Sequence, residues 1–218
     1  MTTHLRVERV SQLVREGEEI RCVLSPVTAT FTAGMFHVVS GGRGSGKSSL
    51  ISILSLTVAA ARGDIFFGDE RLSALDPAGA QRWRARHIAT IGPDSGFVPL
   101  LTFRENLKMV AALREQPEAI RQGEAMASLL GMAHLLDGLP AEFGSVDLRR
   151  MVIVQALCSE PLIVLADDPT RGMLDHDAVG VATLLRSYAH DRHAIVIGAS
   201  EDRRMLAAAD AVLRLTAP

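Results

Sequence analysis

The 218-residue sequence predicts an α/β fold, and three observations carry that expectation. A glycine-rich run, Gly41-Gly42-Arg43-Gly44-Ser45-Gly46-Lys47-Ser48, stands between a short apolar strand and an apolar helix. Leu162-Ile163-Val164-Leu165 is a continuous apolar stretch, as in a parallel strand covered on both faces. After Leu139, helical and strand patterns alternate to the end of the chain. The length suits a single domain, 1–218, with a lobe inserted into it.

In chain order, Leu5 to Val10 and Ile20 to Leu24 alternate as strands, and Met35 to Val39 reads as a buried strand ending at Ser40 and Gly41. A helix is expected from Lys47 to Ala59, then a strand from Ile65 to Phe67 closed by Gly68-Asp69. Pro77 to Arg86 is polar and arginine-rich and leads into an apolar strand, His87 to Ile91. From Phe103 to Leu136 the chain is largely helical, with Pro117 and Gly131 as breaks, which places an inserted helical lobe at approximately 97–147. Helices then follow at Leu148–Ser159, Ala178–Ala189 and Arg203–Ala209, and strands at Leu162–Ala166, Ala194–Gly198 and Ala211–Leu215.

Composition removes several classes of function. The 23 basic and 25 acidic residues nearly cancel, so no global attraction draws the chain to nucleic acid or anionic lipid, and no nucleic-acid partner is expected. Cys22 and Cys158 lack metal-ligand spacing and read as two buried thiols in a reducing compartment. The apolar stretch Ile51 to Ala61 is too short for a membrane helix, and the N-terminus lacks a signal pattern. A cytoplasmic protein is expected, any membrane attachment coming through a partner.

The glycine-rich run carries the chemistry. Its glycines let successive amides point into one concavity, as a polyphosphate requires. Gly42, Arg43, Gly44, Ser45, Gly46, Lys47, Ser48 and Ser49 form the candidate nucleotide-binding set, and Lys47 is one of only two lysines in the chain. Lys47 supplies a point charge for the β and γ phosphates, and Ser48 a hydroxyl for Mg²⁺. The apolar strand ahead of Asp167 would deliver that carboxylate to the same metal, with Asp168 one residue beyond as a water-polarising base.

These residues, with Leu101-Thr102-Phe103-Arg104-Glu105-Asn106, Ala166-Asp167-Asp168-Pro169-Thr170 and Leu174-Asp175, make the chain resemble an ABC transporter nucleotide-binding subunit. Its nearest likeness is to the stand-alone ATPases of lipoprotein-release and macrolide-export systems. The resemblance implies a P-loop NTPase fold with a strand-rich N-terminal region, ATP and Mg²⁺ as cofactors, and a D-loop at Leu174 and Asp175. It further implies a dimer in which each ATP lies between one subunit's phosphate loop and the other's Leu-Ser-Gly-Gly-Gln signature.

The departures from that family bear on turnover. The signature stretch reads Phe143-Gly144-Ser145-Val146-Asp147, where Val146 replaces a glycine and Asp147 adds negative charge. The family's glutamine falls at Pro93, which lacks any donor, with Asp94 beside it. The catalytic glutamate is Asp168, shorter by a methylene, and the switch histidine aligns with Ser200 or Glu201. The adenine-stacking aromatic is missing from Gln12-Leu13-Val14-Arg15, where an aliphatic side chain would cover the base. Nucleotide binding is therefore expected without normal hydrolysis, Asp168, Ser200 and Glu201 being the remaining catalytic candidates.

The expected partners are a membrane permease and a second ATPase subunit, or a second copy of this chain, which puts the protein on the inner face of the membrane through the permease. An intact ATPase partner is favoured because a homodimer would lack the specialised residues at both sites. Gly96-Phe97-Val98-Pro99-Leu100-Leu101 offers apolar anchors for the permease or else packs in the core, and Arg82, Arg84 and Arg86 either solvate the surface beside Trp83 or make a partner contact. Two other readings share the phosphate loop: a soluble ATP-responsive regulator or scaffold, and an active homodimeric transport ATPase in which Asp168 suffices and Glu201 supplies the switch.

Overall fold

A computed structural model describes residues 3–17, 19–92 and 96–218. Pro93 and Asp94, expected from the spacing to replace the glutamine, lie outside the described residues. Strands β1 (His4–Glu16) and β2 (Glu19–Thr32) form one long antiparallel hairpin, far longer than the two short strands expected. Register shifts between Val7 and Leu13 let the hairpin continue past the polar residues that interrupt its alternation. With β4 (Arg62–Phe67) and β5 (Glu70–Arg71) it makes a four-stranded sheet in the order β2-β1-β4-β5.

The second sheet is parallel, in the order β6-β7-β8-β3-β9: β3 Met35–Ser40, β6 Ile88–Ile91, β7 Ile163–Asp167, β8 Ile195–Ala199, β9 Ala211–Arg214. The continuous apolar run in β7 serves two cores. Ile163 and Leu165 face a core shared with the antiparallel sheet and helix α1 (Lys47–Leu54), while Val164 and Ala166 face the opposite side. That opposite core is closed by α5 (Ser145–Leu157), α6 (Asp175–Arg192) and α7 (Arg203–Ala208).

Several boundaries differ from the sequence expectation. Helix α1 stops at Leu54, short of Ala59, because Leu56 turns to the left-handed φ of 56° and the Ser55 hydroxyl donates back to the Ser52 carbonyl at 2.8 Å. The arginine-rich stretch is itself a helix, α2 (Pro77–His87): Asp76 accepts from the Gly79 amide at 2.8 Å and Pro77 occupies the first turn. Arg84 in this helix donates to the Leu56 carbonyl at 3.1 Å, so it ties α2 to the end of α1 in addition to facing solvent. Helices α5 and α6 begin earlier than expected, behind the extended residues Gly144 and Leu174.

The inserted helical region is built on α3 (Phe103–Leu113) and α4 (Ala119–Leu129), packed around Phe103, Leu107, Ala111, Met132 and Met151. The stretch Thr102 to Asn106 has a structural reason. Thr102 caps α3 and Glu105 closes the capping box. The fully buried Asn106 donates to the carbonyls of Val98, Leu101 and Thr102 and accepts from the Val98 amide, folding the preceding loop onto the helix. In that loop Phe97 turns inward against Phe103, whereas Leu100 is 86% exposed.

Candidate functional site

Strand register assembles the site. Val39 of β3 and Asp167 of β7 both pair with Ala199 of β8, so three strands end at one level of the sheet. The chain leaves that rim into the phosphate loop, the Asp168 turn and the Ser200 turn, which is where α/β sheets place ligands. A cavity of about 930 Å³ opens there, lined by Arg43 to Ser49, Asp168, Ser200 and Glu201 among others.

The loop is shaped for close approach. Gly46 enters α1 with a left-handed φ of 89°, and a Cβ there would meet the Val23 carbonyl at 2.5 Å, so no other residue fits. The first turn of α1 contains no acidic residue and Gly46 offers no side-chain cap, leaving the leading amides to an external acceptor. The Ser45 hydroxyl is buried in the loop without a partner among the described residues.

Lys47 lies across the mouth of this loop. Its ammonium donates to the carbonyls of Gly41 and Gly42 and ion-pairs with Glu201 Oε1 at 2.8 Å. Asp167 stands at the end of β7, where burial pushes its carboxyl upward and Asp168 adds to that push, opposed by the Ser48 hydroxyl and the charge of Lys47. Ser48 and Asp167 are thus neighbours offering hard oxygen donors, a set that suits Mg²⁺ shared with phosphates and water. No cluster of three or more His, Cys, Asp or Glu side chains stands ready to hold a metal among the described residues. The phosphate loop fits the triphosphate and Ser48 with Asp167 fits its metal.

The other candidate residues divide. Asp168 lines the cavity and adopts a left-handed φ of 47°, its amide held by the Ala199 carbonyl at 2.9 Å. Ser200 is 2% exposed, with its amide donating to Val39 and its hydroxyl accepting from Asp202. It offers no titratable group. Leu174 and Asp175 are exposed at the start of α6, Asp175 accepting from Arg204 at 2.8 Å. Arg204 also binds Asp202, which accepts from Thr170 at 2.6 Å, so the Glu201 turn is tied to α6. The Asp202 carboxyl is held down to about 2, chiefly by Arg204.

None of Phe143, Gly144, Ser145, Val146 or Asp147 lines the phosphate cavity. Ser145 borders a second cavity of about 480 Å³ with Ser48, Asp167 and Asp168. Asp147 lies in the first turn of α5, Arg149 donates to the Arg171 carbonyl, and Arg150 pairs with the buried Asp177.

Several residues that line the phosphate cavity escape a reading of the sequence: Arg21, Cys22 and Val23 from β2, and Asp202 and Arg204. Only the strand register reveals them, since nothing in their local spacing is distinctive. Cys22 is accordingly half-buried at the cavity wall rather than a core thiol, while Cys158 is buried with its thiol pushed up to about 11 by desolvation. Gln12 spends its side-chain oxygen on the Ala61 amide at 2.9 Å.

Comparison with known proteins agrees with this geometry. Residues 24–171 match the family model described as ABC transporter. The chain is 29% identical over 97% of its length to a putative hemin import ATP-binding protein HrtA of Staphylococcus haemolyticus, covering 96% of that protein. It is 28% identical to the lipoprotein-releasing system ATP-binding protein LolD of Pseudomonas fluorescens, over 92% of this chain and 89% of that one. Its fold matches the dimeric structure of MJ0796, a bacterial ABC transporter cassette, with a TM-score of 0.87 at 22% identity, over 97% and 94% of the two chains.

Proposed function

Because the chain belongs to the ABC transporter family, we propose that its phosphate loop retains ATP and Mg²⁺ while its own hydrolytic machinery is impaired. It is an ATP-binding subunit of an ABC transport complex. The observation that carries the proposal is the division at the sheet rim. Lys47, Ser48 and Asp167 converge on the acid-free start of α1, yet Ser200 is buried and bonded within its own turn.

Bound Mg²⁺ would neutralise phosphate charge. Ser48 and Asp167 would hold it, Lys47 would engage the terminal phosphates, and the leading amides of α1 would cradle the rest. For turnover, a base has to orient and deprotonate water. Asp168 keeps a carboxylate but is shorter than glutamate, and misplacement by about 1 Å costs on the order of a hundredfold. Ser200 accepts from Asp202 and supplies no imidazole, and Glu201 is engaged by Lys47.

We further propose pairing with an intact ATPase subunit, which would face Lys47 and Asp167 with a complete signature, and attachment to a permease through the helical region around the exposed Leu100. The likeness to LolD supports placing the complex near the lipoprotein-release group. The test is calorimetry and phosphate release on the purified chain. Mg-ATP binding that requires Lys47 is expected, with turnover about a hundredfold or more below that of an intact family member. Comparable turnover, abolished by Lys47→Ala, would overturn the proposal.

A further inference from the structure

The phosphate cavity has two unlike walls. The turns after β7 and β8 contribute Asp168, Glu201 and Asp202, and β2 contributes Arg21, Cys22 and Val23. A polyphosphate seated on Lys47 and Ser48 puts its metal-bearing end toward Asp167, and the carboxylates repel any phosphate not bridged by cation. The nucleoside therefore has to extend the other way, toward β2, which the close approach of Gly46 to Val23 places against the loop itself.

No aromatic side chain lines this cavity among the described residues. Val14, from the stretch expected to cover the base, pairs directly opposite Arg21 in the antiparallel ladder. Residues paired in this way project from the same face, with Cβ atoms about 5 Å apart. Arg21 is exposed and makes no ion pair among the described residues. Arg204 at the acidic wall is by contrast bound to Asp202 and Asp175. A guanidinium is flat, weakly hydrated and attracted to the face of a π system, properties that an ammonium lacks.

We propose that Arg21 is the base-contacting residue of this nucleotide site, its guanidinium lying flat against the base with Val14 at its side. This rests on the phosphate loop binding ATP. A cation over a ring face does not read donors and acceptors, so the site accepts bases by their π surface and ranks purines above pyrimidines.

The test compares Mg-ATP with Mg-tripolyphosphate, which has the phosphates without the base, by calorimetry on the wild-type chain and on Arg21→Ala, Arg21→Lys and Lys47→Ala. Arg21→Ala is expected to weaken Mg-ATP about tenfold and leave Mg-tripolyphosphate unchanged. Arg21→Lys is expected to recover less than half of that loss on a logarithmic scale. Equal loss of both ligands in a variant with wild-type circular dichroism would make Arg21 a phosphate contact and overturn the proposal, as would unchanged Mg-ATP affinity or full rescue by lysine. Failure of the wild-type chain to bind either ligand, or binding of both undiminished by Lys47→Ala, would instead overturn the ATP-binding reading beneath it.

Cys22 gives a second readout that needs no variant, because Cys158 is buried. Mg-ATP is expected to slow maleimide labelling of Cys22 severalfold and Mg-tripolyphosphate to leave it unchanged. Equal protection by the two would place the base elsewhere.

Discussion

Two helices of this protein begin in nearly the same way and present opposite faces to a phosphate. Helix α1 starts at Lys47 behind Gly46 and α5 starts at Ser145 behind Gly144, neither glycine supplying a side-chain cap. The start of a helix carries roughly half a positive charge on its unsatisfied amides. In α1 no acid occupies the first turn, so that charge is available to an outside anion, reinforced by Lys47. In α5 Asp147 sits in the first turn and answers the charge from within. Gly46 has a left-handed φ and no room for a Cβ, whereas Gly144 has φ −71° and open space around it. One glycine is demanded by backbone and ligand approach, and the other marks only a turn. A helix start alone thus decides nothing about anion binding; what stands in the first turn does.

The sharpest way to break the contrast is to remove the charge that completes the α1 site. Lys47→Ala deletes a cation that donates to two loop carbonyls and pairs with Glu201. A charged hydrogen bond is worth about 1.5–3 kcal/mol, so Mg-ATP affinity by calorimetry should fall about 10- to 100-fold. Unchanged affinity would mean that the amides of α1 suffice, and the contrast with α5 would lose its basis.

The next effect concerns the turn that aims Glu201. The folded protein holds the Asp202 carboxyl at about 2 through Arg204 first, with Thr170 helping. A carboxyl lowered on folding stabilises fully above its ordinary value near 4, and that contribution fades as pH falls toward 2. Asp202→Asn should therefore cost about 1 kcal/mol near neutrality, after allowance for solvent screening at the cavity mouth, and less near pH 2. Urea unfolding across that range measures both, and a deficit that does not shrink on acidification would assign Asp202 a role other than this pairing.

At α5 the expected change is smaller and of opposite sign. Asp147→Asn frees the helix start for an incoming phosphate, an effect of about 0.3–1 kcal/mol, and should raise ATP-dependent association of two subunits about two- to fivefold in sedimentation. Association that falls instead would show that Asp147 contributes to the contact.

How much of this contrast the sequence discloses follows from how local each part is. The phosphate loop is read from eight consecutive residues, because a backbone that curls around phosphate needs glycine at set intervals. The apolar strands of the parallel sheet are equally plain. Helix α2 is missed among its arginines because little apolar periodicity marks it, although Asp76-Pro77 carried a start signal. The start of α5 is misplaced because its first turn mixes Val146 and Asp147 without a capping side chain. What no local pattern discloses is the pairing of Lys47 with Glu201, or Arg21 facing Val14. The first depends on the register of β3 against β8, segments distant in sequence, and the second on the register that the β1–β2 hairpin adopts.

That pairing supplies the smallest and most discriminating change. Glu201 occupies the cation on which a terminal phosphate would rest, so nucleotide has to displace a carboxylate that is already seated. The cost is modest, because the Glu201 side chain is 56% exposed and exposed ion pairs contribute about 0–1 kcal/mol. Glu201→Gln should therefore tighten Mg-ATP binding, by about fivefold at most, with a larger gain at low ionic strength, where the lost ion pair was strongest. The sign of the change separates two roles for this residue. A gain in affinity makes Glu201 a resident competitor that keeps the Lys47 ammonium occupied between nucleotides. A loss, accompanied by lower turnover, makes it a partner of the bound triphosphate and revives the relocated switch.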